Sequence, residues 1–236
     1  RIRLRATQRN ASVFSPDSRY AVEHDTMDTT FRSMYLGLSA FLDANTERRE
    51  LLLGQRPPRF DSSFDEAIAL TGDDFERVAL KAESARDYFL LVGPPGTGKT
   101  SRALRRMVEH FYAASSMQIL LLAYTNRAVD EICQSLSSIT PCIDYIRVGS
   151  ELSCDVRFRG HLLENILAEC NSRREVNIRM ADCRVYVGTV ASIAAKAELF
   201  KLKRFDVAIV DEATQILEPQ LLGILCAKFA DERNAV

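Results

Sequence analysis

No stretch of the 236 residues approaches the ~18 to 20 consecutive apolar positions that a membrane-spanning helix requires. No apolar core follows the charges of the opening RIRLRATQRN, so a signal-peptide pattern is missing. An initiator Met is missing as well, and the expectation is a piece of a longer chain. There is no basic excess: 31 Lys and Arg stand against 32 Asp and Glu, for a net charge of −1. A positive field over the whole molecule is thereby excluded, and any nucleic-acid contact has to use a local groove. CxxC spacing is absent among Cys133, Cys142, Cys154, Cys170, Cys183 and Cys226. That argues against a zinc or disulfide framework and for reduced thiols in an intracellular protein, cytoplasmic or nuclear. Neither an internal repeat nor a low-complexity tract interrupts the chain.

What is present suits a globular protein with one substantial core: 47% of residues are apolar and 27% charged. Residues 1–20 are polar and Arg-rich. Met27, Phe31, Met34, Tyr35, Leu38, Phe41 and Leu42 then recur at helical spacing and predict an amphipathic helix starting near Tyr20. A shorter helix over 46–53 follows, ended by Gly54, Pro57 and Pro58. Beyond Asp61 the pattern alternates. Strands are predicted at 88–92, 118–123, 145–148, 184–187 and 207–210. Helices are predicted at 75–85, 101–112, 128–136, 162–170 and 218–228. Such alternation implies an α/β fold, a parallel sheet with helices on both faces.

The strongest local signal is Gly93-Pro94-Pro95-Gly96-Thr97-Gly98-Lys99-Thr100, which fits G-x-x-x-x-G-K-[ST]. It lies between a predicted strand and a predicted helix that opens near Ser101. The glycines let backbone N–H groups turn inward around an anion, and the helix N-terminus adds partial positive charge. Lys99 can reach the β- and γ-phosphates of ATP, and the Thr100 hydroxyl can ligate Mg²⁺. The segment Phe205-Asp206-Val207-Ala208-Ile209-Val210 ends on an acidic pair. Asp211 is the candidate Mg²⁺ partner, and Glu212 the candidate that polarises the attacking water. Capping of a following helix is the alternative role for Asp211-Glu212.

The flanking motifs carry a family resemblance. Asp211-Glu212-Ala213-Thr214-Gln215 resembles the DEAxQ box of superfamily 1 helicases, which places Gln215 with the catalytic residues. Ala123-Tyr124-Thr125-Asn126-Arg127-Ala128-Val129-Asp130 resembles their motif Ia, and Gly188-Thr189-Val190-Ala191-Ser192 their next strand-contacting motif. Order and spacing are similar to the branch of the nonsense-mediated-decay helicase, senataxin and the Okazaki-fragment nuclease-helicase. The resemblance implies a RecA-like motor domain preceded by a helical stalk, ATP and Mg²⁺ as cofactors, and 5′-to-3′ movement. It implies single-stranded DNA or RNA as partner, contacted by Thr125, Asn126, Arg127 and Thr189. Short donors at strand ends can bind phosphates without reading bases, and Thr125-Asn126 can equally cap the helix after them.

Residues 1–60 would then be an N-terminal segment and stalk. Residues 61–236 would be the first RecA-like domain, with a possible inserted subdomain at 139–182. A second RecA-like domain with its arginine finger would complete the motor, and its motifs are missing from this sequence. An AAA+-type remodelling ATPase would carry a sensor Asn and a helical lid after the acidic pair. A silent P-loop binding module is the third alternative. One departure stands out. The resembled helicases carry Leu-Asn-x-x-Gln before the phosphate-loop strand, whereas this chain reads Leu70-Thr71-Gly72-Asp73-Asp74. Asp74 stands where the base-reading Gln is expected, and a carboxylate can only accept. The expectation is weak base selectivity, unless Asp74 simply caps the helix near Phe75.

Overall fold

The structure is a computed structural model that describes residues 29–94, 96–114, 116–196 and 198–227. The expected start of the stalk helix falls on residues 1–28, outside the described residues. Four parallel strands form one sheet in the order β2-β3-β1-β4. They are β1 (Ile119–Ala123), β2 (Tyr145–Val148), β3 (Val185–Thr189) and β4 (Val207–Val210). Every residue of β1, β2 and β3 is buried; β1 accordingly reads as a continuous apolar run, while β2 buries Arg147, which pairs with Asp130.

The helices preceding β1 are α1 (Thr29–Leu42), α2 (Thr46–Leu52), α3 (Asp65–Leu70), α4 (Asp74–Ser84) and α5 (Arg105–Ala114). After β1 come α6 (Asn126–Ser137), α7 (Leu163–Ala168), α8 (Arg173–Asp182), α9 (Val190–Ala195), α10 (Leu199–Leu202) and α11 (Glu218–Leu225). Successive strand residues point to opposite faces, so two cores form. Ile119, Leu121, Val185 and Val187 pack with α4, α5 and α6 on one face. Leu120, Leu122, Ile146 and Tyr186 pack with helices from α7 to α11 on the other. Residues 139–182 are continuous with this body, because β2 is the sheet's edge strand and α7 covers it.

The α1 helix precedes the sheet and docks on α11. Gly37 makes the close approach: a Cβ there would collide with the Pro219 carbonyl oxygen and meet the Gly223 nitrogen at 3.1 Å. The stripe that the periodicity selects is mostly left outside, with Phe31, Tyr35, Leu38 and Leu42 exposed and Met34 and Phe41 half-buried. A missing side chain brings these two helices together, and hydrophobic spacing cannot register that.

The predicted strand at 88–92 is a correction. The segment is irregular, with Leu90 75% and Val92 92% exposed. β4 pairs with β1 along one edge, and among the described residues no strand pairs with residues 88–92. An apolar run becomes a strand only where a neighbour completes the ladder and covers its face.

Candidate nucleotide and nucleic-acid site

The parallel register sets the site. β1, β3 and β4 end together at Ala123, Thr189 and Val210, so the loops that follow them share one edge of the sheet. That is where open α/β sheets bind ligands.

The phosphate loop curls at Gly96 and Gly98, whose φ values of 79° and 83° are left-handed. Pro95 lies outside the described residues. Gly98 caps the helix that begins at Lys99, and its carbonyl accepts from both Arg102 N and Ala103 N at 2.9 Å. The first turns, Lys99–Leu104, are therefore wound wide before α5 continues the helix. The Lys99 ammonium turns back into the loop and donates to the carbonyls of Gly93 at 2.5 Å and Pro94 at 2.9 Å. A phosphate oxygen would replace those carbonyls as its partner. Thr97 closes the loop by donating to Pro94 O at 2.8 Å, and Ser101 is exposed on the first turn.

The acidic pair meets this loop. The Thr100 hydroxyl donates to Asp211 Oδ2 at 2.7 Å across 111 residues of chain. Both expected Mg²⁺ partners thus converge as hard oxygen donors, a set that suits an ion completing its shell with phosphate oxygens and water. Glu212 has a left-handed backbone, φ 50°, a costly conformation for a residue with a Cβ. Gln215 Nε2 donates to Glu212 Oε2 at 2.6 Å, which leaves Oε1 without a bond among the described residues. The acidic pair does not cap a helix through its side chains.

A cavity of about 100 Å³ adjoins the loop, lined by Phe75 and Val78 of α4, by Leu91 and Val92, and by Thr97 and Lys99. Asp74 stands at its rim. Capping of α4 falls to Asp73, which accepts from Phe75 N at 2.8 Å and Glu76 N at 3.4 Å. Glu76 fastens α4 to α5 through an ion pair with Arg106 at 2.7 Å and a contact of its Oε1 with His110 Nε2 at 2.6 Å. Arg102 lies 4.1 Å over the Phe75 ring. Phe75, Arg77 and Arg102 escape a motif reading. Their only signal in sequence is that a helix with Phe at its second position precedes the phosphate loop.

The candidate nucleic-acid residues divide. Thr125 and Arg127 are exposed and Asn126 half-buried, all at the start of α6. Thr125 Oγ1 accepts from Ala128 N at 3.1 Å, so it caps α6 and still faces solvent. Thr189 is 5% exposed. Its hydroxyl accepts from Ser192 N at 3.0 Å and donates to Ser192 Oγ at 2.8 Å, which commits it to capping α9.

Residues 76–232 match the family model described as an AAA domain. The DNA replication ATP-dependent helicase/nuclease JHS1 of Arabidopsis thaliana is 30% identical over 87% of this chain and 16% of its own length. The DNA replication ATP-dependent helicase/nuclease DNA2 of Homo sapiens is 26% identical over 92% of this chain and 22% of its own length. ECM32 of Saccharomyces cerevisiae, named for an ATP-dependent RNA helicase activity, is 28% identical over 73% of this chain and 18% of its own length. The chain therefore spans between 16% and 22% of the length of these relatives.

Proposed function

The chain belongs to the AAA domain family, in its superfamily 1 helicase branch, and from that premise we propose that it is the first RecA-like motor of an intracellular enzyme that couples ATP hydrolysis to movement along single-stranded nucleic acid. The observation that carries this reading is the hydrogen bond from Thr100 to Asp211, which joins phosphate loop and acidic pair into one centre. Gln215 and the Thr125-Asn126 motif, with helicases as relatives, favour it over a protein-remodelling ATPase. Residues 1–60 then serve as lead-in and stalk, with a second RecA-like domain as partner across the nucleotide.

The chemistry follows from donors and acceptors. Backbone N–H groups of Gly96–Thr100 and the Lys99 ammonium would hold the phosphates and stabilise charge on them, since Pro94 and Pro95 have no N–H to donate. Thr100 and Asp211 would hold Mg²⁺, which supplies further positive charge to the phosphate oxygens. Gln215 occupies Glu212 Oε2, so Oε1 is the atom that accepts a proton from the attacking water. Thr125, Asn126 and Arg127 present donors that can bind the phosphates of the strand without reading bases.

ATP turnover by the chain, with and without single-stranded DNA and RNA oligonucleotides, tests the reading. Lys99→Ala lowers turnover by roughly 10²-fold or more, as loss of one preorganised electrostatic donor does. Glu212→Gln lowers turnover far more than ATP affinity. A Lys99→Ala chain with parental affinity and turnover would overturn the proposal.

A further inference from the structure

Asp74 alone could satisfy only half of a purine edge, which is the basis for expecting weak selectivity. The structure puts a donor beside it. Arg77 Nη1 lies 2.7 Å from Asp74 Oδ1, one helical turn along α4. The same guanidinium donates Nη2 to the Thr71 carbonyl at 2.8 Å, so its plane is held from behind. Asp74 lines the cavity mouth with its side chain 87% exposed, and Arg77, 37% exposed, stands behind that lining, joined to it through Asp74. The cavity wall is apolar at Phe75, Val78, Leu91 and Val92, and it opens beside Lys99. A flat ring slotted there would have its phosphates at Lys99 and one polar edge at the Asp74–Arg77 pair.

We infer that Asp74 and Arg77 together read the purine edge and make this centre selective for adenine. The inference rests on the nucleotide reading above and adds what the base contacts are. Adenine presents an amino donor at N6 beside an acceptor at N7, whereas guanine presents acceptors at both O6 and N7. Asp74 accepts from N6, and Arg77 donates to N7. The pair thus supplies both the acceptor and the donor that a single amide side chain would otherwise combine. Guanine meets Arg77 well but sets O6 against the Asp74 carboxylate. Asp74 is therefore the discriminating residue, and Arg77 strengthens purine binding.

Nucleotide analogues test each contact separately, with binding to the 236-residue chain followed by calorimetry. Each charge-assisted contact is worth about tenfold or somewhat more in affinity. The parent should therefore bind ATP roughly tenfold tighter than 7-deaza-ATP, which lacks the N7 acceptor, and at least roughly tenfold tighter than ITP, which carries an oxygen at position 6. Arg77→Ala should bind ATP and 7-deaza-ATP alike while still preferring ATP to ITP. Asp74→Ala should lose the preference against ITP while still sensing N7. Because Arg77 also holds Thr71, Arg77→Lys provides a second variant: it keeps a donor and should restore part of the N7 sensitivity. Magnesium tripolyphosphate, which has no base, should bind the parent and every variant equally. A parent that binds tripolyphosphate yet ranks ATP, 7-deaza-ATP and ITP equally overturns the edge reading and leaves the phosphate site standing. A parent that binds none of these ligands overturns both.

Discussion

β1 and the segment at 88–92 are nearly matched in sequence and opposite in fate. Ile119–Ala123 reads ILLLA and Tyr88–Val92 reads YFLLV. Leu121 is fully buried at the centre of the sheet, between β3 and β4, whereas Leu90 is 75% exposed. Composition therefore does not separate them; the neighbours do. Hydrophobic stabilisation follows area removed from water, and the first segment is enclosed by neighbours on both sides, whereas in the second Phe89 and Leu91 are only half-buried and Tyr88, Leu90 and Val92 are exposed. The sharpest break of the comparison is a pair of equal truncations. Leu121→Ala should cost about 3 to 5 kcal/mol of unfolding free energy, as cavities in well-packed cores do. Leu90→Ala should change it by no more than about 0.5 kcal/mol. Urea denaturation of both variants checks this, and a Leu90→Ala loss comparable to that of Leu121→Ala would show that residues 88–92 are buried in solution.

The exposed segment is nonetheless tethered at both ends. At its far end the Gly93 carbonyl holds Lys99. At its near end Asp87, 5% exposed at the side chain, accepts from Arg56 at 2.8 and 3.0 Å and from Arg59 at 3.0 and 3.1 Å. These bonds, with Arg56 foremost, hold the Asp87 carboxyl far below the usual carboxylate range. Asp87→Ala should cost about 2 kcal/mol, because two cations lose their shared acceptor. The pH dependence has a definite sign. A carboxyl whose folded pKa is depressed contributes stability above its unfolded value of about 3.9, and that contribution is lost as pH falls toward the folded value. The stability gap between the parent and Asp87→Ala should therefore stay constant from about pH 7 to 5 and narrow below about pH 4. A gap that does not change down to pH 2.5 would mean that the carboxylate is not what ties residues 56–59 to this segment.

The same contrast explains what the sequence made legible. Where burial and periodicity coincide, the reading is close: β2 and β4 have the predicted bounds, and α6 extends the predicted helix by a residue or two at each end. The phosphate loop and acidic pair are legible because phosphate chemistry demands particular residue types at fixed spacing. α8 escaped because Arg173–Asp182 carries polar residues all round, with Met180 alone fully buried. Its C-terminal end is held by Lys203, whose buried ammonium donates to the carbonyls of Met180, Ala181 and Cys183. A lysine in a polar stretch gives no hint of that role. Burial lowers its pKa, a cost these three carbonyls offset. The Asp74–Arg77 pair was half legible. Asp74 stood out as a departure from a motif, but its partner three residues on becomes meaningful only once α4 pairs it with Asp74, which lines the cavity.

The smallest effects belong to the ligand-side edge of the sheet, where β3 ends on the capping Thr189 and β1 is followed, two residues on, by the capping Thr125. Thr125 and Thr189 make the same bond, accepting from the backbone N–H three residues on, at 3.1 and 3.0 Å. Removing either cap should cost about 1 kcal/mol of stability. Their surroundings differ. Thr125 is exposed beside Asn126 and Arg127, while Thr189 is 5% exposed and spends its proton on Ser192. A strand lying on this edge can reach the first hydroxyl and not the second. Thr125→Ala should thus weaken binding of a single-stranded oligonucleotide by about fivefold, the worth of one ordinary hydrogen bond, while Thr189→Ala should leave affinity within about twofold of the parent. Fluorescence anisotropy with a labelled oligonucleotide, run well below the midpoint of unfolding, separates affinity from stability. Equal affinity losses from the two substitutions would mean that the caps act only by holding their helices. A loss confined to Thr189→Ala would mean that the strand enters between β3 and α9, and the assignment of Thr125, Asn126 and Arg127 would fall with it.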